Sequence, residues 1–269
     1  MPETTLYFAY GSNLNAEDWG RWCAARPGTA DPACMTPVGA AMLPDHELAF
    51  SRHSAGRKGG VLDVRPRSGH AVEGVLMAVS PAGWKLLDIK EGVGFAYERI
   101  PVRVRDQGGL WRDVTTYRVL PGEAQPHVPP HEHYVSVCAD GLRRHGLDPA
   151  RLLDAAAGRP ARSAAAGLFI PDNLREALKR ALNDAERHAM VPATARASVH
   201  DSGALQPGDG QAAGAFLPSG ALEDLVARLD PLAGSGPYRF ARDLLTVTTG
   251  DGASARAWAY VLPHTRLDD

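Results

Sequence analysis

The apolar run Leu6-Tyr7-Phe8-Ala9 passes directly into Tyr10-Gly11-Ser12-Asn13-Leu14-Asn15, and this junction constrains the fold more than any other stretch of the chain. Bulky residues before the break suit a buried strand, and the glycine permits a sharp bend. Ser12 or Asn13 then stands where a cap is needed for a helix beginning around Ala16-Glu17. A strand that turns at once into a helix N-terminus aims several backbone N–H groups at one spot and favours negative charge there. The junction reads either as an ordinary strand–turn–helix connection or as a seat for a carboxylate or oxyanion.

A second segment separates these readings. Val72 to Val79 has the character of a strand and Pro81 to Leu87 that of a short helix, after which Asp88-Ile89-Lys90-Glu91-Gly92-Val93 leads into a strand from Tyr97 to Val104. Here the chain resembles the gamma-glutamylcyclotransferase-like family, which pairs a Tyr-Gly-Ser-Asn-Leu loop with a strand, a short helix ending in Leu-Asp, and a Glu-Gly. The match continues through Leu48 to Arg52, Gly59 to Val64, Tyr117, and Tyr134 ahead of Gly141 to Leu147, so that it spans residues 5 to 157 in order. The resemblance implies a mixed α/β (α+β) fold built on a small, mostly antiparallel barrel with short helices.

Composition fits a cytoplasmic enzyme and argues against several other classes. Lys plus Arg number 29 against 31 Asp plus Glu, which recommends neither nucleic acid nor an anionic membrane as partner. No apolar run reaches the length of a membrane span, and the first five residues lack the basic start and apolar core of a signal peptide. Cys23, Cys34 and Cys138 are an odd number without metal-like spacing, as suits free thiols.

The chain also echoes itself. Gly167 to Arg175 can be laid over Tyr7 to Leu14, with Leu174 on Leu14. Ala213 to Pro218 followed by Leu222 to Asp230 mirrors Glu73 to Leu76 followed by Trp84 to Asp88, and the echo runs on through Gly234, Tyr238, Leu244 to Val247, and Trp258 to Val261 opposite Thr116 to Val119. This predicts a catalytic domain over residues 1–157, a linker over 158–166, and a degenerate, non-catalytic copy of the same fold over 167–269, in tandem. Pro171-Asp172 replaces Tyr10-Gly11 in the copy, and Ala233 stands where the first has Glu91.

The reaction implied by the resemblance closes a ring. The α-amine of a γ-glutamyl group attacks its own γ-carbonyl carbon, the amide C–N bond breaks, and 5-oxoproline and a free amine leave. Curling the substrate supplies an effective concentration of roughly 10⁵ M or more, about 7 kcal/mol of the barrier. What remains is proton traffic, since the ammonium must lose a proton and the departing nitrogen must gain one. One carboxylate can do both, and the family pattern assigns that role to Glu91, with Val93 and Phe95 expected to shield it from water. Neither a metal nor a redox cofactor is required.

Glu98 is the rival carboxylate, on a strand where alternation places it on the face opposite Tyr97. Tyr10, Gly11, Ser12, Asn13 and Leu14 of the loop, with Tyr97, Tyr117 and Tyr134, are the expected substrate-binding residues; the tyrosines are read as lining the pocket and bonding the substrate carboxylate or Glu91. Arg52 and Arg57 stand either on the surface or opposite an acidic substrate. The segment from Pro126 to His133 reads as a loop at the pocket mouth, its three histidines lacking the partners of a metal site. Gly208-Asp209-Gly210 reads as a turn.

Two functions of different class fit these residues. One is a cyclotransferase releasing an amino acid, a dipeptide from glutathione breakdown, or an amine that carried glutamate as a biosynthetic protecting group. The other is a non-catalytic ligand-binding or scaffold protein of the same fold.

Overall fold

The computed structural model describes residues 5–26, 31–172, 178, 180–199, 205–233 and 241–262. Contacts divide the chain into two units, Met1–Arg67 with Ala71–Arg162, and Ser68–His70 with Ser163–Asp269.

The first unit opens with β1 (Thr5–Ala9), a 3₁₀ turn (Ser12–Leu14) and α1 (Ala16–Ala24). Two long strands follow, β2 (Met35–Ser54) and β3 (Gly59–Val79), then α2 (Pro81–Glu91), β4 (Tyr97–Asp106), β5 (Trp111–Val119), α3 (Glu132–Arg144) and α4 (Ala150–Ala156). The strands close into a barrel in the order β1-β3-β2-β4-β5, antiparallel at every pairing except β1 with β5, where Tyr7 faces Thr115. Small proline-containing barrels need bends, and β2 supplies them through register shifts at Pro37/Gly39, Pro44/His46 and Phe50/Arg52. The interior is filled by Phe8, Leu43, Phe50, Leu62, Val64, Leu76, Leu87 and Val104, all nearly or fully buried.

The segment after β5 packs along the β2–β3 hairpin. The Gln125 and Val128 N–H groups donate to Ser51 O and Phe50 O, both at 2.7 Å, and Gly60 N–H donates to Pro129 O at 2.9 Å. Glycine is required beneath it, because a β-carbon on Gly60 would lie 2.0 Å from Val128 O. Of the three histidines, His127 lines a separate cavity of about 190 Å³ together with Arg65, Arg159 and Pro160, and His131 caps α3 by accepting from His133 N–H. The residues of this segment are absent from the walls of the Glu91 cavities, contrary to the pocket-mouth expectation.

The second unit contains β6 (Gly167–Pro171), α5 (Asp184–Ala189), β7 (Val191–Val199), β8 (Leu205–Pro218), α6 (Leu222–Ala233), β9 (Ala241–Thr249) and β10 (Ser254–Val261). Its strands also close into a barrel, in the cyclic order β6-β8-β7-β9-β10. This is the strand order of the first unit element for element, with β10 parallel to β6 where β5 is parallel to β1. Gly208 to Gly210 is not a turn between strands; it lies within β8, opposite a register shift between Arg196 and Ala197. Residues 173–175, 234 and 238, which carry part of the sequence echo, fall outside the described residues.

Candidate active site

The loop after β1 bends without a left-handed residue. Gly11 has φ −126° and ψ −142°, and a β-carbon there would meet Leu62 at 3.5 Å and the Tyr134 hydroxyl at 3.9 Å, ordinary contacts. The bend at Gly11 is therefore made without a positive φ. Nor do Ser12 and Asn13 cap α1. That role falls to Asn15, whose Oδ1 accepts from the N–H groups of Glu17 and Asp18 at 3.1 Å. Asn13 instead turns inward, donating from Nδ2 to Glu91 Oε1 at 2.8 Å and to the Tyr7 hydroxyl at 3.0 Å.

Glu91 comes from the far end of α2. Ser80 caps the helix by accepting from Gly83 N–H, with Pro81 in its first turn. The helix does not stop at Leu87-Asp88 but continues to Glu91, and Gly92 ends it with φ +65° and ψ +52°. Val93 N–H then donates back to Asp88 O at 3.0 Å, closing a Schellman-type stop. Glu-Gly thus has a mechanical meaning: the glycine breaks the helix one residue after the carboxylate. The last turn is held to the barrel through Asp88, which accepts from the Tyr117 hydroxyl at 2.9 Å and from Arg99 at 2.7 and 2.6 Å.

Glu91 stands at the junction of two cavities. The inner one, about 20 Å³, is walled by Tyr7, Tyr10, Gly11, Ser12, Asn13, Leu62, Tyr97, Tyr117 and Tyr134 as well as Glu91. The outer one, about 510 Å³, shares Ser12, Glu91, Tyr97 and Tyr134 with it and adds Trp22, Arg52, Arg57, Ile89, Lys90 and Phe95 among others. Val93 and Phe95 do not shield the carboxylate as expected, being 39% and 68% exposed. The groups that line the inner chamber with it include five tyrosines and Asn13.

The tyrosine hydroxyls make different contacts from those expected. Tyr10 donates to Tyr117 O at 2.8 Å, Tyr97 to Leu62 O at 2.7 Å, and Tyr117 to Asp88. None of these three bonds reaches Glu91, although all four expected tyrosines line the inner cavity. Burial raises Tyr7, Tyr10, Tyr97, Tyr117 and Tyr134 far above the ordinary phenol value, with the negative charge of Glu91 adding to the rise at Tyr7, Tyr10, Tyr97 and Tyr134. They stay neutral at physiological pH, so the inner cavity is lined by hydroxyls and one acid.

The remaining expected residues separate clearly. Ser12 reaches the cavity and accepts from Lys90 Nζ at 3.4 Å. Leu14 does not: it is buried against α3, where a β-carbon on Gly141 would come within 2.8 Å of it. Glu98 lies away from the cavity walls, bonded to Arg118 at 2.6 Å. Arg57 is committed to Asp18, donating at 2.9 and 2.6 Å. Burial by itself would raise the Asp18 carboxyl, but the Arg57 hydrogen bonds and the charges of Lys90, Arg57 and Arg21 pull it below the ordinary range.

Sequence reasoning missed Tyr7 and Lys90. Tyr7 lies next to Phe8 in a strand whose residues Tyr7, Phe8 and Ala9 are all buried, so alternation gave no cue. Lys90 had a cue: it follows Leu86 by four residues and Leu87 by three, on the helix face that those two bury.

Comparison with known proteins agrees with this architecture. Residues 71–151 match the AIG2-like family. The gamma-glutamylcyclotransferase of Bos taurus is 31% identical over 150 residues, covering 54% of this chain and 73% of that protein. A crystal structure of YkqA from Bacillus subtilis superposes with a TM-score of 0.50 at 25% identity, over 59% of this chain and 56% of that one. A structure described as a gamma-glutamyl cyclotransferase gives 0.46 at 28% identity, over 54% and 82%. The first class defined by the fold is a small closed barrel with short helices packed on it. More narrowly, the chain belongs to the gamma-glutamylcyclotransferase-like, or AIG2-like, family. No helix among the described residues is long and apolar enough to cross a membrane.

Proposed function

We propose that this protein is a γ-glutamyl cyclotransferase that converts a γ-glutamyl amide into 5-oxoproline and a free amine, with Glu91 as the proton carrier. The observation that carries the reading is the placement of Glu91, with Oε1 held by Asn13 at 2.8 Å, where a hydroxyl-lined chamber meets a wider cavity. The γ-glutamyl group sits toward the tyrosines. Glu91 takes a proton from its α-ammonium, the freed amine attacks the γ-carbonyl carbon, the same carboxyl returns the proton to the departing nitrogen as the C–N bond breaks, and the second proton shed by the ring nitrogen follows through Glu91 to the released amine, which leaves as an ammonium. The Tyr7 hydroxyl, which accepts from Asn13 and has its own hydrogen to donate, and the loop N–H groups stabilise the oxyanion formed in between. The released amine leaves through the outer cavity, whose walls leave open an amino acid, a peptide or a larger biosynthetic amine.

The second unit is read as a copy from which the reactive groups are gone. Asp230 accepts from the Tyr260 hydroxyl at 2.8 Å and from Arg242 at 2.8 Å, as Asp88 does from Tyr117 and Arg99. Counting three residues on from each aspartate gives Glu91, the last residue of its helix, in the first unit and Ala233, the last described residue of its helix, in the second. A backbone oxygen and a phenylalanine ring crowd Gly74 and Gly214 alike, from Ala9 and Phe8 in one unit and Ile170 and Phe169 in the other, which puts Pro171 and Asp172 at the places of Tyr10 and Gly11. This register is one residue removed from the overlay of Leu174 on Leu14, and it sets Tyr260, rather than Ala259, opposite Tyr117.

The test is a panel of γ-glutamyl amino acids, γ-glutamyl peptides and γ-glutamyl amines incubated with the full chain and assayed for 5-oxoproline. Product from at least one member supports the reading. A folded protein that binds members of the panel and releases no product from any supports the non-catalytic alternative.

A further inference from the structure

The Asn13 carboxamide presents a donor or an acceptor to Glu91 depending on which way it is turned. With Nδ2 toward Glu91 it holds the carboxylate; with Oδ1 toward Glu91 it repels it. Something must choose, and the neighbour on the other side is Lys90. Its Nζ carries only protons and stands 2.5 Å from Asn13 Oδ1. A lysine there accepts only one orientation of the amide.

We propose that Lys90 is a positioning residue of this site, locking the Asn13 carboxamide so that Nδ2 faces Tyr7 and Glu91 and leaving the second carboxylate oxygen of Glu91 for the substrate. The inference rests on the reading of Glu91 as proton carrier. Its first support is that the lysine side chain is only 6% exposed, a costly place for an ammonium unless it is bonded. Burial lowers the Lys90 ammonium below the ordinary lysine value, against the opposing pull of Glu91 and Asp18.

The second support is that charge neutralisation alone does not account for the residue. Asp18 on α1 lies 3.7 Å from Nζ but is already engaged by Arg57, from the β2–β3 turn, at 2.6 Å. The other groups facing Lys90 are Ser12 at 3.4 Å, the Trp19 ring at 5.7 Å, Glu91 beside it in the chain, and the Cys138 thiol on α3, which burial pushes up to about 12 and so keeps neutral. The shortest contact is the one to Asn13. Sequential neighbours thus act on one amide: Lys90 sets its orientation and Glu91 receives the result.

The experiment combines kinetics with a readout independent of turnover. Lys90→Met removes the donor at similar length, Lys90→Gln keeps a shorter N–H donor, and Asn13→Ala removes the intermediary; all are compared at equal folded fraction. Lys90→Met should lower kcat about 10- to 100-fold, the range for supporting residues of a site, with KM changed by about threefold or less. Lys90→Gln should lose less, and Lys90→Met in the Asn13→Ala background should cost almost nothing more. Multiplicative losses in that double variant, or Lys90→Met turning over like the wild type, would overturn the proposal.

Selective ¹⁵N labelling of asparagine in the full chain supplies the second arm. The Asn13 carboxamide should give one hindered NH₂ pair in the wild type and a second or averaged set in Lys90→Met. An unchanged Asn13 signal in that variant overturns the positioning role whether or not the protein turns over substrate. A wild type that gives no 5-oxoproline, with the NMR response present, sinks only the cyclotransferase reading.

Discussion

Replacing Gly92 with alanine tests whether the helix stop is what delivers Glu91. Gly92 sits at φ +65°, where an L-residue costs about 1–2 kcal/mol. The new β-carbon would come within 2.5 to 3.0 Å of the Phe95 ring. That ring is 68% exposed and can swing away, so the backbone term dominates. For a cooperative unit of this size the loss corresponds to a fall in Tm of about 2–8 °C. Relief of the strain loosens the cap in which Val93 N–H bonds Asp88 O, and the last turn of α2 moves with it. A misplacement of about 1 Å at a reacting group can cost 10²-fold, so kcat should fall by about 10- to 100-fold while substrate still binds. Gly94→Ala is the control: φ is +93°, no heavy atom lies within 4 Å of the added carbon, and Glu91 is not in its cap. It should lose stability and keep kcat. A Gly92→Ala protein with wild-type Tm, or a Gly94→Ala protein as slow as Gly92→Ala, refutes the reasoning.

Gly60→Ala should destabilise the first unit by about 1–3 kcal/mol or more in urea denaturation, because the added carbon meets the Val128 carbonyl, a backbone group that must shift. Arg57→Gln should flatten the acid limb of the stability profile. The folded Asp18 carboxyl is depressed, so its contribution is present above the ordinary carboxylate value and lost as pH falls through the depressed one. Removing Arg57 takes away the hydrogen bonds and part of the charge that depress it, and an unchanged profile would remove Asp18 from the account. Ala233→Glu introduced into an inactive Glu91→Gln protein should restore no activity, since Pro171 and Asp172 stand at the places of Tyr10 and Gly11; any regained 5-oxoproline release would contradict the degenerate-copy reading.

The first barrel was legible because its chemistry is local in sequence. A strand breaking at Tyr10-Gly11 and a helix followed by Glu91-Gly92 each announce themselves within a few residues. The contacts between them were not legible. Asn15 took the cap from Ser12 and Asn13 because α1 begins at Ala16, which leaves Ser12 and Asn13 inside the preceding 3₁₀ turn, and only then is Asn13 free to face Glu91. Leu87-Asp88 looked like a helix end, yet the stop is set by the left-handed glycine four residues on. Tyr117 read as a substrate contact, but its hydroxyl is used by Asp88 across 29 positions of chain. In the second unit the register of the proposed copy was not legible. A slip of one residue reverses every side chain in a strand, and the Tyr260–Asp230–Arg242 cluster, which fixes the alternative, is formed only in three dimensions.

The central claim is that ring closure, not hydrolysis, occurs at Glu91. It is tested most directly by running the wild type and Glu91→Gln in H₂¹⁸O with a γ-glutamyl amide that the wild type consumes, and following both products by mass spectrometry. Cyclisation predicts 5-oxoproline and free amine in equal amounts, no ¹⁸O in the 5-oxoproline, and at least about a 10²-fold loss of rate in Glu91→Gln without loss of binding. Glutamate carrying ¹⁸O, or a Glu91→Gln protein as fast as the wild type, would contradict it.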